Sequence, residues 1–156
     1  MKRKIICFAL LVFLLAMMAI PASAAGSASM TVSNTTPYRG DTFTVTINLS
    51  GLEAFDAGSL EVSYGSGLEL TGAKSLVDAF TINENLSQNR VIFFAMNGAV
   101  KVSGKLLSLT FKVKSGASFD TNKIDITLQI NGQTVKATKS VTIACNHKYR
   151  DRKSVV

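Results

Sequence analysis

Much of the chain alternates apolar and polar residues with a period of two. Over residues 42–49, Phe, Val, Ile and Leu take every second position, and Thr or Asn fills the positions between them. Successive side chains of a strand point to opposite faces, so this rhythm predicts half-buried strands. The same alternation recurs over residues 59–64, 107–114 and 124–130. Residues 91–96 are apolar throughout, which predicts a central strand covered on both faces.

Short turn sequences separate the strand patterns. Weaker strand patterns lie at residues 30–33, 68–70, 79–82 and 134–143. Turn residues occur at 37–41 and 65–67, and the Asn131-Gly132 pair suits a two-residue hairpin. Residues 76–80 could supply one helical turn at most. Eight or nine short strands with regular turns predict an all-β fold, a β-sandwich or jelly roll.

The first 25 residues have the layout of a secretory signal peptide. Lys2, Arg3 and Lys4 precede an apolar run over residues 5–20, and small residues follow it. The run is short for a membrane span, which needs about 20 residues. We therefore expect cleavage after residue 24 or 25 and a secreted or cell-surface protein that is not embedded in a membrane.

The positive charge of the chain is concentrated at its two ends. The formal net charge is +7, but three lysines and arginines belong to the predicted signal peptide, and residues 148–153 add a net +3. The stretch between them is nearly neutral. Nucleic-acid binding needs lysines and arginines clustered on one surface, and no such cluster is visible. We therefore expect no nucleic-acid partner.

Residues 144–156 break the strand pattern with a basic tail. Cys145 and His147 open it, and we expect either a disordered end or the start of a truncated Cys/His segment. A zinc site needs about four ligands, and only these two are present, so no metal site is expected. With Cys145 as the one cysteine after the signal peptide, no internal disulfide can form.

No catalytic constellation is recognisable. His147, the only histidine, lies in the tail, which excludes a Ser-His-Asp set in the folded region. The acidic residues are scattered, and no glycine-rich phosphate loop or Ca²⁺-binding loop is present. We expect a protein without enzymatic activity, catalytic residues or a cofactor.

The order of strand motifs over residues 29–143 resembles the cohesin family. Residues 38–47 (YRGDTFTVTI) resemble the second strand of that family, and residues 55–64 (FDAGSLEVSY) its third. Residues 67–70 (GLEL), 91–95 (VIFFA) and 104–114 (GKLLSLTFKVK) resemble later strands in the right order. The resemblance implies a cohesin-like β-sandwich over residues 26–143 that binds a dockerin-type protein module.

The resemblance also implies where the partner would bind. Many cohesins hold dockerin through polar residues of the third strand and an acidic residue just after the "F-A" strand. This chain has Ala57 and Ser59 at the third-strand positions, and Met96 and Asn97 after Ala95. The loop glycine of the family corresponds to Gly98.

We expect the partner-binding face to combine the third strand with the strand that ends at Met96. Its candidate residues are Ala57, Ser59, Glu61, Phe93, Met96, Asn97 and Gly98. Phe93 and Phe94 are neighbours on one strand and must point to opposite faces, so one exposed aromatic ring is expected there.

Two other functions remain open at this point. One is a carbohydrate-binding module whose partner is a polysaccharide, and the other is a structural spacer of a surface protein. The chain has no Trp. Tyr38 lies in a turn, Tyr64 is expected to point inward and Tyr149 lies in the tail, so an aromatic sugar platform is hard to assemble. We expect a monomer.

Overall fold

The computed structural model describes residues 26–145, which fold into nine β-strands. In chain order they are β1 (Ser27–Val32), β2 (Thr42–Ser50), β3 (Ala57–Tyr64), β4 (Leu68–Ser75), β5 (Phe80–Asn85), β6 (Arg90–Ala95), β7 (Gly104–Val113), β8 (Thr121–Ile130) and β9 (Gln133–Thr142). One short 3-10 helix, Leu86–Gln88, joins β5 to β6. The signal-peptide interpretation of residues 1–25 and the tail from residue 146 onward lie outside the described residues. Within residues 26–145, no helix is long and apolar enough to cross a membrane.

The strands form two antiparallel sheets packed face to face. The four-stranded sheet has the order β1-β2-β7-β4, and the five-stranded sheet has the order β5-β6-β3-β8-β9. The prediction of a β-sandwich with eight to nine strands is confirmed. Alternation with a period of two produced this result, because each strand can bury one face between the sheets and leave the other exposed.

The core lies between the inner faces of the two sheets. The four apolar residues of β2, from Phe43 to Leu49, are all buried, and the Thr and Asn residues between them are not. Phe55, Phe80 and Phe93 form one aromatic cluster, with ring centroids 5.2–6.1 Å apart. Such offset and edge-to-face arrangements are the favoured packing of aromatic rings.

The turn predictions can be compared with the structure at two places. Asn131 and Gly132 both have positive φ, 50° and 72°, and Ile130 pairs with Gln133 across them. This confirms the two-residue hairpin, whose backbone twist requires that conformation. Residues 76–80 form a turn rather than a helix, and the 3-10 helix that follows β5 has no clear signal in the sequence.

The prediction for residues 91–96 was wrong in one respect. In β6, Val91 and Phe93 are buried, but Ile92 is 42% exposed and Phe94 is 38% exposed. Within residues 26–145, no element covers the outward side of this strand. An apolar run therefore does not mean burial on both faces here.

The loops gather at two opposite ends of the sandwich. The loops after β2, β4, β6 and β8 lie at one end, together with Gly26, and we call it the entry end. The loops after β1, β3 and β7 lie at the other end, together with Ala144, and we call it the exit end. Backbone hydrogen bonds fasten the exit end, among them Ala144 N–H to Pro37 O at 2.9 Å.

Candidate functional site

The outward side of the five-stranded sheet, called here the outer face, carries the site that the sequence predicted. Leu60 and Val62 of β3 point into the core, so Ser59, Glu61 and Ser63 point outward. The same alternation turns Ile92 and Phe94 of β6 outward. The outer face is therefore fixed by the core residues that lie between these positions.

Strand register places the predicted residues of β3 and β6 side by side. Ala57 pairs with Phe94, Ser59 with Ile92, and Glu61 with Arg90. On the other side of β3, Ser59 pairs with Gln129 of β8. Side chains directly opposite each other on antiparallel strands are about 4.5–5.5 Å apart at Cβ, so they form one continuous surface.

Three large apolar side chains form an exposed row along this surface. Ile92, Phe94 and Met96 occupy every second position, and their exposed fractions are 42%, 38% and 80%. We call these three residues the apolar stripe. Only Ile92 and Phe94 belong to β6 itself, while Met96 follows the strand in the turn.

Phe93 is the one predicted partner-binding residue that the structure removes from the surface. Its side chain is fully buried, and its ring packs edge-on against Phe55 and Phe80. Assigning it to the partner-binding surface was therefore wrong. The neighbouring Phe94 is the exposed ring, as expected for one of the two. The core needs an apolar side chain at position 93, whereas at position 94 nothing covers it.

The remaining predicted residues lie on the surface of the described structure. Ala57 and Glu61 are exposed, and Ser59 is half-buried between its neighbours. Met96, Asn97 and Gly98 form the exposed turn after β6, where Gly98 has a φ of 94°. This conformation favours glycine over residues with a side chain.

A glycine that sequence reasoning overlooked holds this part of the sheet together. A Cβ added to Gly58 would lie 2.4 Å from Cζ of Phe93 and 2.9 Å from the carbonyl oxygen of Gln129. The absent side chain lets the Phe93 ring lie directly beneath β3. A glycine inside a strand pattern can signal such a close approach, so the sequence contained a usable clue.

A shallow groove runs beside the apolar stripe, on the far side of β3. It has a volume of about 330 Å³ and is lined by residues 57–59 and by the β8–β9 hairpin, residues 129–134. The small side chains of Ala57 and Ser59 keep it open. The outer face thus combines a raised apolar row with a neighbouring depression.

The charges on the outer face nearly balance. Glu61 lies opposite Arg90, and Lys123 Nζ lies 3.1 Å from Asp125 Oδ1. Hydrogen bonds from the Thr138 hydroxyl and then from Lys123 hold the pKa of Asp125 below its ordinary value of 3.8. Within residues 26–145, no three His, Cys, Asp or Glu side chains come together as metal ligands. The chemistry available on this face is contact with another molecule.

Solved structures with the same fold are cohesin modules. A cohesin module from a family 33 glycoside hydrolase of Clostridium perfringens superposes with a TM-score of 0.62 at 15% identity, covering 76% of this chain and 96% of that one. The sixth cohesin of scaffoldin B from Acetivibrio cellulolyticus, solved with a Cel5 dockerin, gives 0.59 at 18%, covering 78% and 100%. The third ScaB cohesin of R. flavefaciens, solved with a group 1 dockerin, gives 0.64 at 12%, covering 78% and 98%.

At these identities the superpositions establish the fold. No curated protein sequence gives a significant match to this chain. The family model for the cohesin domain, however, matches residues 28–146, which span all nine strands. The strand motifs, the two-sheet topology and this match agree, and the chain belongs to the cohesin domain family.

Proposed function

We propose that this chain is a non-catalytic binding module that docks a dockerin-type protein on the outer face around β3 and β6. The family supports a binding role of this kind, since relatives with the same fold were solved with dockerins bound. The observation that carries the location is the apolar stripe. Its three residues are exposed in a row on the face that the family resemblance implies.

Exposed apolar rows of this kind favour protein partners. Contiguous apolar surface is uncommon on proteins that work alone, and Met and Phe are enriched in interfaces. Burying a side chain such as Phe94 or Ile92 against a partner is worth about 1.5–3 kcal/mol if it starts fully exposed. Both start partly covered, so each contributes less than this full amount.

The third strand supports apolar contact more than hydrogen bonding. Ala57 offers no polar side-chain atom, and Ser59 offers one hydroxyl, half-buried between Ile92 and Gln129. A partner that relied on carboxylate or amide groups at these positions would find few matches. The small side chains instead leave room beside Phe94 for an apolar group of the partner.

We also propose that the module works outside the cell. The support is the layout of residues 1–25, with a basic start, an apolar run and small residues before the first strand. N-terminal sequencing of the protein collected from culture medium tests this. A first residue at position 25 or 26 is expected, and a retained residue 1 would contradict it.

Binding to purified dockerin modules, measured by calorimetry, tests the docking surface. The substitution Phe94→Ala should weaken binding about tenfold or more, a loss typical of a central apolar contact. Phe119→Ala is the matched control, since Phe119 is also a half-exposed Phe but lies at the exit end. It should leave the affinity unchanged.

The outcomes of this experiment separate the alternatives. Equal losses for Phe94→Ala and Phe119→Ala would remove the outer face as the docking surface. Absence of binding to every dockerin module tested would count against the proposed partner and would favour a structural spacer.

A further inference from the structure

The exit end contains a second groove that the proposed docking surface does not use. It is formed by two loops, residues 65–67 and residues 114–122, and has a volume of about 530 Å³. We call it the exit groove. Ligand sites for small molecules have volumes of about 300–1,000 Å³, so the exit groove is large enough for a small organic ligand.

Hydrogen bonds hold the walls of the exit groove in place. Asn122, 7% exposed, accepts from Gly67 N–H through Oδ1 and donates from Nδ2 to Asp120 O, both at 3.2 Å. Lys114 Nζ donates to Ser66 O at 3.0 Å. The two loops therefore meet a ligand with their shape already fixed, which lowers the entropic cost of binding.

Glycines keep the groove from filling with the protein's own side chains. A Cβ at Gly65 would lie 2.3 Å from Asn122 Oδ1, so any side chain there would displace the amide that joins the loops. Gly116, in contrast, faces open space, with no heavy atom within 4 Å of an added Cβ. One glycine is required by packing, and the other leaves the groove accessible.

An aromatic ring lies in the same loop. Phe119, between the groove residues Ser118 and Asp120, is 47% exposed. The Arg39 guanidinium lies 3.8 Å from the centre of its ring, and Arg39 Nε donates to Ala117 O at 2.6 Å. A cation over an aromatic face is attractive, so Arg39 braces the ring while nearly half of Phe119 stays open to solvent.

We propose that the exit groove binds a saccharide. Lys114 and Asp120 offer a donor and an acceptor of opposite charge, and Ser66 and Ser118 offer hydroxyl groups. Asp120 opposes an anionic ligand, Lys114 opposes a cationic one, and a wholly apolar ligand would leave these groups without partners. A neutral, polyhydroxylated ring matches both charges, and its C–H face can pack on Phe119.

This site is separate from the docking surface. Phe94 and Met96 lie toward the entry end of the five-stranded sheet, while the exit groove lies at the opposite end of the strands. A saccharide and a protein partner could therefore be held at the same time. The inference stands or falls independently of dockerin binding.

Chemical-shift mapping on the purified, ¹⁵N-labelled chain tests the proposal. The probes are cellobiose, N-acetylglucosamine, galactose and mannose, each at about 20 mM, which detects sites with a Kd of a few millimolar. We expect at least one probe to shift the backbone amides of Ser66, Gly116 and Ser118. Shifts confined to the outer face, or no shifts from any probe, would overturn the proposal.

A blocking variant makes the test sharper. Gly116→Tyr places a ring in open space within the exit groove and should raise the Kd of the bound probe at least about tenfold. Gly72→Tyr is the matched control, since Gly72 also faces open space but lies in β4 outside the groove. An unchanged Kd for Gly116→Tyr would contradict saccharide binding at this site.

A second variant covers the case in which Gly116→Tyr does not fold. Phe119→Ala removes the ring and should weaken probe binding about threefold to tenfold, as expected for the loss of one aromatic contact. Phe94→Ala on the outer face is its control and should leave the probe affinity unchanged. Equal affinities of the two variants would argue against a role for Phe119.

Discussion

At the scale of single residues, the outer face depends on a missing side chain. Gly58 lets the Phe93 ring lie against β3, and the ring in turn packs with Phe55 and Phe80. The exposed surface above is shaped by this arrangement, because Ala57 and Ser59 flank the glycine on the same strand. A small change beneath the sheet should therefore be felt in its stability.

Gly58→Ala should lower the free energy of unfolding by about 1–3 kcal/mol, the usual cost of overpacking a core. The added methyl group would meet both the Phe93 ring and the Gln129 carbonyl oxygen. Urea denaturation measures the effect. Gly72→Ala is the control, since its Cβ meets nothing within 4 Å, and it should be neutral or slightly stabilising. Equal stability of the two variants would refute the close-packing argument.

A second residue-scale prediction concerns acid. The Thr138 and Lys123 hydrogen bonds lower the pKa of Asp125, so its carboxylate stabilises the fold above pH 3.8 and loses this effect as the pH falls through the lowered pKa. Asp125→Asn should therefore be less stable than the parent at neutral pH, and the gap should close in acid. Denaturation from pH 7 to pH 2 measures the gap. Asp78→Asn controls for net charge, and a gap that widens in acid would contradict the assignment.

At the scale of elements, the period of two identified the strands but not which faces are covered. Val91 and Phe93 point inward and Ile92 and Phe94 outward, although both pairs are equally apolar. Periodicity has no signal in such a run, and only the neighbouring strands decide the orientation. The adjacency of Phe93 and Phe94 did predict one exposed ring. Which ring it is depends on the register with β3, which the sequence does not encode locally.

The β8–β9 hairpin is the element whose local sequence is most informative. Gly132 has a φ of 72°, in the left-handed region that costs a residue with a Cβ roughly 1–2 kcal/mol. Gly132→Val should destabilise the fold by about this amount, measured by thermal unfolding. Gly116→Val is the control, since Gly116 lies in open space without a positive φ. A hairpin variant as stable as the control would mean that the turn can change its type freely.

At the scale of the whole molecule, sites built from one strand pair were predictable and sites built from loops were not. The β3 and β6 positions could be carried over from family motifs because strand alternation preserves their face. The exit groove joins residues 65–67 with residues 114–122, which are distant in sequence and have no shared pattern. Asn122 alternates with Ile124 and Ile126, yet its amide fastens two loops instead of facing an apolar core.

The two sheets are also joined where the chain leaves the sandwich, and this predicts the C-terminal limit of the folding unit. Ile143 is 1% exposed and donates its N–H to Asp120 O, and Ala144 pairs with Tyr38 and donates to Pro37 O. A chain that ends at Thr142 loses a buried Ile and these backbone hydrogen bonds. Its free energy of unfolding should fall by about 2–5 kcal/mol, the range for deleting a large apolar core side chain.

A chain that ends at Cys145 keeps all of these contacts and is the matched comparison. It should unfold at the same denaturant concentration as the full chain, because within residues 26–145 every strand and the closing bridge of Ala144 are retained. Guanidinium denaturation of the three chains under identical conditions measures the difference. Equal stability of the chains ending at Thr142 and Cys145 would show that Ile143 and Ala144 do not close the sandwich. The two sheets would then be held together by their inner faces alone.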